Sequence, residues 1–293
     1  RRPGDHQRRC RHRPDSEREL GRVWWDFIPK RSSGPRERPW FNAVSEKAIS
    51  GEGVGRLYRA ALRHHRCLIA FEYVGAMKQQ MDKHDRLMMA NGAPTRLPWL
   101  VPMLDVGGTE TNWHRNGKWT PMSDAEMLYR RALCGPKPYC FLMNTRFEDF
   151  GPDLVERYMK RALAYGMFPG FFSHNASQGH YFSRPELYNR DRPRFKKYVP
   201  LIKRVAEAGW RPVTRVTSSD AKVYVERWGE RYLTVFNDST ERRTAVLTLD
   251  GLAAPSRCRD LVRERDVAWT GGKAEVTLDP EDVALLDLAP DVP

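Results

Sequence analysis

Between about residues 53 and 209 short, continuously apolar runs alternate with amphipathic stretches, and this alternation limits what the chain can fold into. The runs are CLIAFEYVG at 67–75, DRLMMANG at 85–92, LPWLVPMLDVGGTETNW at 97–113, KPYCFLMNT at 137–145 and MFPGFFSHN at 167–175. A strand that is apolar on both faces needs cover on both faces, and helices between strands supply it. The intervening segments read as such helices. GRLYRAALRHHR at 55–66 has Leu57, Ala61 and Leu62 at helical spacing, and Ser123-Asp-Ala-Glu126 is a capping box opening MLYRRALCG. GPDLVERYMKRALAYG at 151–166 carries Pro152 in its first turn and Gly166 past its end. DRPRFKKYVPLIKRVAEAGW at 191–210 is a long helix, expected to break or kink near Pro200 and closed by Gly209.

Such units build either a (β/α) barrel or a doubly wound sheet. No G-x-G-x-x-G follows a strand, and Gly51-Glu-Gly53-Val-Gly55 lacks a preceding apolar run, which disfavours a dinucleotide site. The fold class expected is therefore α/β, a TIM-type barrel. A whole barrel takes about 250 residues, so the barrel is expected to be N-terminally incomplete. After Trp210 the texture changes to short alternating strands punctuated by Asn-Asp, Asp-Gly and Gly-Gly turns, as in an antiparallel β-sandwich. The expected domains are a basic arm at 1–40, a barrel portion at 41–209 and a sandwich at 210–293.

The chain of 293 residues carries a formal net charge of +13. Residues 1–40 hold 12 basic and 6 acidic side chains, so nearly half the excess sits in an arm without apolar periodicity before Val23-Trp24-Trp25. The arm is read as a solvated terminus rather than a phosphate-binding segment. The missing initiator Met suggests a true N-terminus upstream, and a secreted or periplasmic location would follow if a signal peptide precedes Arg1. Five cysteines (Cys10, Cys67, Cys134, Cys140, Cys258) without C-x-x-C argue against a zinc site or a disulfide framework. Cys67 and Cys140 read as core thiols. Asn175-Ala-Ser177 and Asn237-Asp-Ser239 fit the glycosylation sequon.

In parallel α/β folds functional residues gather at the carboxyl ends of strands. That rule nominates Glu72, Asn91, Asp105, Glu110, Trp113, Asn144, Asp149 and His174, with Asn112, His114, Arg146, Glu148, Asn175 and His180 nearby. Trp99, Trp113, Trp119, Phe171, Phe172, Tyr181 and Phe182 are the expected aromatic lining. Paired carboxylates beside aromatic platforms suit cleavage of a glycosidic bond, where one carboxyl protonates the leaving oxygen and the other attacks the anomeric carbon or activates water. Asp105 and Glu110 are the leading pair, with Glu72 or Asp149 as substitutes. Gly107-Gly108 after Asp105 would let a substrate approach the backbone. Asn91, Asn144 and His174 would bind hydroxyls, and Glu72, Trp113 and Asp149 complete the substrate-binding set. The histidines lack ligand spacing, so no metal is expected, and no G-x-S-x-G elbow supports a serine hydrolase.

The segments LMMANG, MLDVGGTETNW, RRALCGPKPYCFLMNT and YGMFPGFFSHNAS, continuing to LYNRDRPRFKKYVPLIKRVAEAGWRPVT, resemble bacterial glycoside-hydrolase-like barrels. YVERWGERYLTVFNDS resembles the β-sandwich that trails many of them, α-galactosidase-type barrels included. The resemblance covers about 85–290. It implies a TIM-barrel catalytic domain, a carbohydrate substrate and no cofactor. No apolar run approaches the ~20 residues of a membrane span and the basic excess lies outside the patterned domains, so neither membrane nor nucleic acid is expected as partner. Two alternatives stand beside it. One is a catalytically inactive carbohydrate-binding or truncated barrel protein, and the other is nucleic-acid binding through the Arg-rich arm.

Overall fold

The computed structural model describes residues 70–173 and 181–289. They belong to one compact unit, Arg66–Pro293. The basic arm, the helix expected at 55–66, Cys10, Cys67 and the loop bearing His174, Asn175 and His180 lie outside the described residues.

Residues 70–83 are helical (α1), where a buried strand was expected over 67–75. Val74, Lys78 and Met81 are half-buried at helical intervals, whereas Phe71, Glu72 and Tyr73 are exposed. A bunched apolar run carries no period, so sequence alone does not separate strand from helix there. The short strand β1 (Met89–Asn91) follows, then α2 (Ala93–Arg96). LPWLVPML, also expected as a strand, forms a 3-10 helix over Pro98–Met103. Its prolines have no amide for a ladder, and its last carbonyls are held from a distance. Lys137 Nζ donates to the carbonyls of Val101 (2.7 Å), Pro102 (3.0 Å) and Leu104 (2.6 Å). The strand proper, β2, is Val106–Thr111.

The hairpin β3 (His114–Arg115) and β4 (Lys118–Trp119) turns at Asn116-Gly117, both at positive φ (52° and 71°), the twist a two-residue hairpin favours. Helix α3 (Asp124–Cys134) has the expected capping box, with the Ser123 amide donating to Glu126 Oε2 at 3.0 Å and the Glu126 amide to Ser123 Oγ at 3.4 Å. Strand β5 (Tyr139–Thr145), helix α4 (Pro152–Ala164) and strand β6 (Phe168–Ser173) follow as the sequence suggested. Helix α4 ends in a Schellman motif: the Gly166 amide donates to Leu163 O (3.1 Å) and the Met167 amide to Ala162 O (2.9 Å), with Gly166 at φ +59°. Helix α5 (Pro185–Ala208) starts earlier than expected and continues as one helix through Pro193 and Pro200.

The four strands pair in parallel in the order β1-β2-β5-β6. Among the described residues this is an open parallel sheet with edges at β1 and β6; closure around a packed interior takes about eight strands, and the barrel expected from sequence was an incomplete one. A Cβ at Gly108 in mid-β2 would meet the terminal methyl of the exposed Met89 side chain, which can turn aside, and would lie 3.4 Å from Cys140 O.

Beyond α5 the pairing is antiparallel. One six-stranded sheet has the order β13-β12-β15-β10-β9-β7 and a three-stranded sheet the order β14-β11-β8. Their strands are β7 (Trp210–Arg211), β8 (Val216–Ser218), β9 (Val223–Trp228), β10 (Tyr232–Asn237), β11 (Arg243–Leu249), β12 (Arg259–Asp260), β13 (Arg265–Asp266), β14 (Lys273–Leu278) and β15 (Val283–Asp287). Leu233 and Val235 of β10 and Ala284 and Leu286 of β15 join Ala245, Leu247, Val276 and Leu278 in one cluster between the sheets. The alternate residues Tyr232, Phe236, Val283 and Leu285 join a second cluster with Tyr158 and Met159 of α4 and Ile202 and Val205 of α5. That double duty explains why β10 and β15 read as nearly continuous apolar runs. Phe141 and Met143 of β5 and Phe171 of β6 close the same cluster from the parallel sheet. Asn237, the first residue of one sequon, is fully buried and its Nδ2 donates to Glu241 O (2.7 Å) and Asp279 O (2.9 Å), so it offers no acceptor site.

Helix α4 is amphipathic, with Asp153 and Arg157 exposed on its outer face, and its one buried cation is heavily partnered. Arg161, 1 % exposed, donates to Met122 O (3.0 Å) and Asp238 Oδ1 (2.5 Å), reaches Glu281 Oε1 at 3.5 Å and lies 4.8 Å from the Phe236 ring centre. Unpaired, such a charge would cost several kcal/mol. Glu281 Oε1 also accepts from Trp119 Nε1 at 2.8 Å, which fixes the β3–β4 hairpin against the antiparallel sheet.

Candidate functional site

A cleft of about 1140 Å³ opens at the carboxyl ends of the parallel strands. Asn91 ends β1, Glu110 and Thr111 end β2 and Asn144 lies near the end of β5, so adjacent strands deliver their last side chains to one rim. Alternation along a strand sends successive side chains to opposite faces, and the bonds across the rim fix those that meet. The Glu110 amide donates to Asn91 Oδ1 at 3.1 Å, and Asn144 Nδ2 donates to Glu110 Oε2 at 3.5 Å. Two asparagines from flanking strands thus hold the β2 terminus and its carboxylate. Asn144 Oδ1 is buried and accepts no hydrogen bond among the described residues. Asp149, in the loop after β5, lines the same cleft. The hairpin contributes His114 and Arg115 to the far wall; the His114 ring packs on Phe150 (6.5 Å between centres) and its amide binds Asn112 Oδ1 at 3.0 Å.

Of the residues nominated from sequence, Asn91, Glu110, Asn144 and Asp149 therefore come together, and Asn112, His114 and Arg146 join them. Asp105 does not. It immediately precedes β2, at the end opposite the cleft, because the strand is VGGTET rather than the apolar run before it. Its Oδ2 accepts the Met88 amide at 2.7 Å and its Oδ1 pairs with Lys78 at 3.1 Å. The amide first, and then the ammonium, hold this carboxyl below the usual carboxylate range. Asp105 thus ties α1 and the start of β1 to the start of β2.

Glu72 is exposed on α1, away from any strand end, and does not line the cleft. Trp113 is 2 % exposed, enclosed by Trp119, Phe141 and Tyr158 at 5.7, 5.1 and 5.6 Å between ring centres. It is a core residue and cannot present a face to a sugar. Phe171 and Tyr181 stack on each other in the core at 4.8 Å. Among the described residues no Trp, Tyr or Phe lines the cleft. Of the aromatic platforms expected there, Trp113, Phe171 and Tyr181 are core and Trp119 packs half-buried against it, since large rings are the main apolar payload available to fill the space between sheet and helices, while Trp99 and Phe182 are exposed outside the cleft lining.

Sequence inspection missed Thr95, Arg96, Arg115 and Arg130 of the lining. The Asn116-Gly117 dipeptide was the available signal for Arg115: a hairpin there turns the residues before it back over the strand ends. Among the described residues no three His, Cys, Asp or Glu side chains are grouped so as to hold a metal ion, and no helix is long and apolar enough to cross a membrane. Cys134, Cys140 and Cys258 are free thiols.

No family model and no curated protein matches the sequence. Among solved structures, the chain is similar to an α-amylase from Anoxybacillus reported as giving insights into a new glycosyl hydrolase subclass (10% identity, TM-score 0.49, covering 75% of this chain and 56% of that one). It is similar to a variant of AmyP in complex with maltotriose (11% identity, TM-score 0.46, 76% and 63%). It is also similar to α-galactosidase I from Mortierella vinacea (9% identity, TM-score 0.45, 75% and 63%). The chain thus spans less than two thirds of these proteins, and the likeness, to glycoside-hydrolase structures, is one of fold alone.

Proposed function

We propose that this chain is part of a glycoside hydrolase, with Glu110 and Asp149 as the carboxylates that cleave the glycosidic bond. On this reading the four parallel strands belong to a (β/α) TIM-type barrel portion at 41–209 and the antiparallel sheets to a β-sandwich at 210–293, with the arm at 1–40 outside both. The observation that carries the proposal is the Glu110 carboxylate at the end of β2, held by Asn144 and with its backbone tied to Asn91, in a polar cleft that Asp149 also lines. Asp149 would protonate the leaving glycosidic oxygen as the bond to the anomeric carbon breaks. Glu110 would attack that carbon or take a proton from the water that does; the separation of the pair in the substrate complex sets which. Asn91 and Asn144 would bind sugar hydroxyls. Asp105 and Trp113 are engaged elsewhere in the fold and Glu72 is exposed on α1 away from the cleft lining, so this reading gives none of them a part in the chemistry. The partner is a carbohydrate.

A panel of nitrophenyl glycosides and polysaccharides tests the proposal. Glu110→Gln is expected to lower kcat on the cleaved substrate by about 10²–10⁴-fold with the thermal midpoint unchanged. Asp105→Asn is expected to lower the midpoint and leave kcat in place. Full activity of Glu110→Gln would remove Glu110 from the mechanism.

A further inference from the structure

We propose that the glycan this cleft accepts carries an anionic substituent, a carboxylate or a sulfate ester, next to the bond being cleaved; the proposal rests on the glycosidase reading above. Four guanidinium groups line the cleft against two carboxylates. Arg96 comes from α2, Arg115 from the hairpin, Arg130 from α3 and Arg146 from the loop after β5, facing Glu110 and Asp149. Four separate elements thus deliver the same charge to one concavity.

None of the four is ion-paired to a carboxylate among the described residues. That distinguishes them from the arginines that hold the fold together: Arg161 on Asp238, Arg231 on Asp287 and Arg263 on Asp260 and Asp282. Arg130 is the clearest case. Its NH1 donates to the Glu126 carbonyl oxygen at 2.7 Å, so a neutral acceptor and not a carboxylate fixes the side chain along α3. The planar fork of arginine matches the two oxygens of a carboxylate or sulfate, and a cleft with low-dielectric walls concentrates the field of several such groups.

The missing aromatics point the same way. A neutral pyranose is commonly recognised by its apolar face against an aromatic ring, and among the described residues this lining offers only the His114 ring. What the lining does offer is charge and hydrogen-bond donors: arginines, Asn91, Asn112 and Asn144. Glu110 and Asp149 sit within the same cationic surround, so an anionic substituent can be held there while the carboxylates act on the bond beside it.

The test uses the full chain with Glu110→Gln as background, so that binding is read without turnover. Calorimetry at low and moderate salt compares a neutral oligosaccharide, an oligogalacturonate and a sulfated galactan oligosaccharide of equal length. At least one anionic oligosaccharide is expected to bind tenfold or more tighter than the neutral one, and its arm identifies the substituent as carboxylate or sulfate. Arg115→Gln with Arg146→Gln is expected to remove that advantage while leaving neutral binding in place. Equal binding of all three, an advantage that survives the double substitution, or a single-stranded oligonucleotide competing as well as the anionic glycan would each overturn the inference. Turnover by the unsubstituted chain separates the two claims: hydrolysis of a neutral glycan without anionic preference sinks this inference and leaves the glycosidase reading standing. Arginine-dependent binding of an anionic glycan with no turnover of any substrate does the reverse.

Discussion

Gly166→Ala is the perturbation whose cost the structure defines most closely. Gly166 occupies the left-handed position after α4 at φ +59°, and a Cβ there would press on Cη2 and Cζ3 of Trp228, well inside contact distance. Two contributions follow. A non-glycine residue in left-handed geometry costs about 1–2 kcal/mol, and overpacking a filled core adds about 1–3 kcal/mol. The ring has no easy retreat. Trp228 is 1 % exposed, its Nε1 donates to Thr234 Oγ1 at 3.0 Å, and that hydroxyl donates to Ala164 O at 2.7 Å, two residues before the glycine. The expected loss is therefore about 2–5 kcal/mol, a large share of the stability of a typical domain. Gly251 is the control, at φ +67° with nothing within 4 Å of its would-be Cβ. Gly251→Ala is expected to cost only about 1–2 kcal/mol, the backbone contribution alone. Urea unfolding followed by tryptophan fluorescence measures both. Equal losses in the two variants would refute the claim that Trp228 is locked against the end of α4.

Two further predictions concern charge. Burial pushes the Glu226 carboxyl from its ordinary 4.5 up to about 7, against the opposing hydrogen bond from Trp210 Nε1 at 2.6 Å. Because the folded state holds this proton more tightly than the unfolded one, stability falls as pH rises from about 4.5 to 7, by about 3 kcal/mol from this group. Glu226→Gln keeps the acceptor for Trp210. It should therefore raise the thermal midpoint at pH 8 and leave it nearly unchanged at pH 4; a variant that follows wild type at both would show the group titrates normally. Lys137→Met strips the three carbonyls of Val101, Pro102 and Leu104 of their shared donor. It should cost about 2 kcal/mol and speed hydrogen exchange at the start of β2, and unaltered exchange there would count against the role.

The elements that read correctly from sequence carry their own local instructions. Ser123 and Glu126 cap α3 from positions within a single turn, Pro152 and Gly166 bracket α4, and the apolar run from Tyr139 to Thr145 becomes β5. The same holds for the antiparallel strands, whose alternation and turns are short-range signals. The misread elements are those where composition and period disagree: CLIAFEYVG has strand composition, yet from residue 70 on it belongs to a helix whose half-buried positions include Val74, Lys78 and Met81, and LPWLVPML is apolar but twice interrupted by proline.

At the candidate site, the order of residues along the chain already marked Asn91, Glu110, Asn144 and Asp149 as ending or following strands, and that was enough to bring them into one cleft. Which end of a strand a residue occupies was not legible for Asp105, since a one-element shift in where β2 begins moved it to the opposite edge of the sheet. Whether an aromatic residue is surface or core was not legible either. Trp113 and Tyr181 adjoin polar loops in sequence, yet they fill space between layers whose separation only the packed structure sets. The four arginines of the cleft are the strongest example. They stand at residues 96, 115, 130 and 146, on four elements, without motif or spacing to link them. Their charge could be counted along the chain, but its convergence on one cleft arises from packing, because electrostatic fields add in space and not along the backbone.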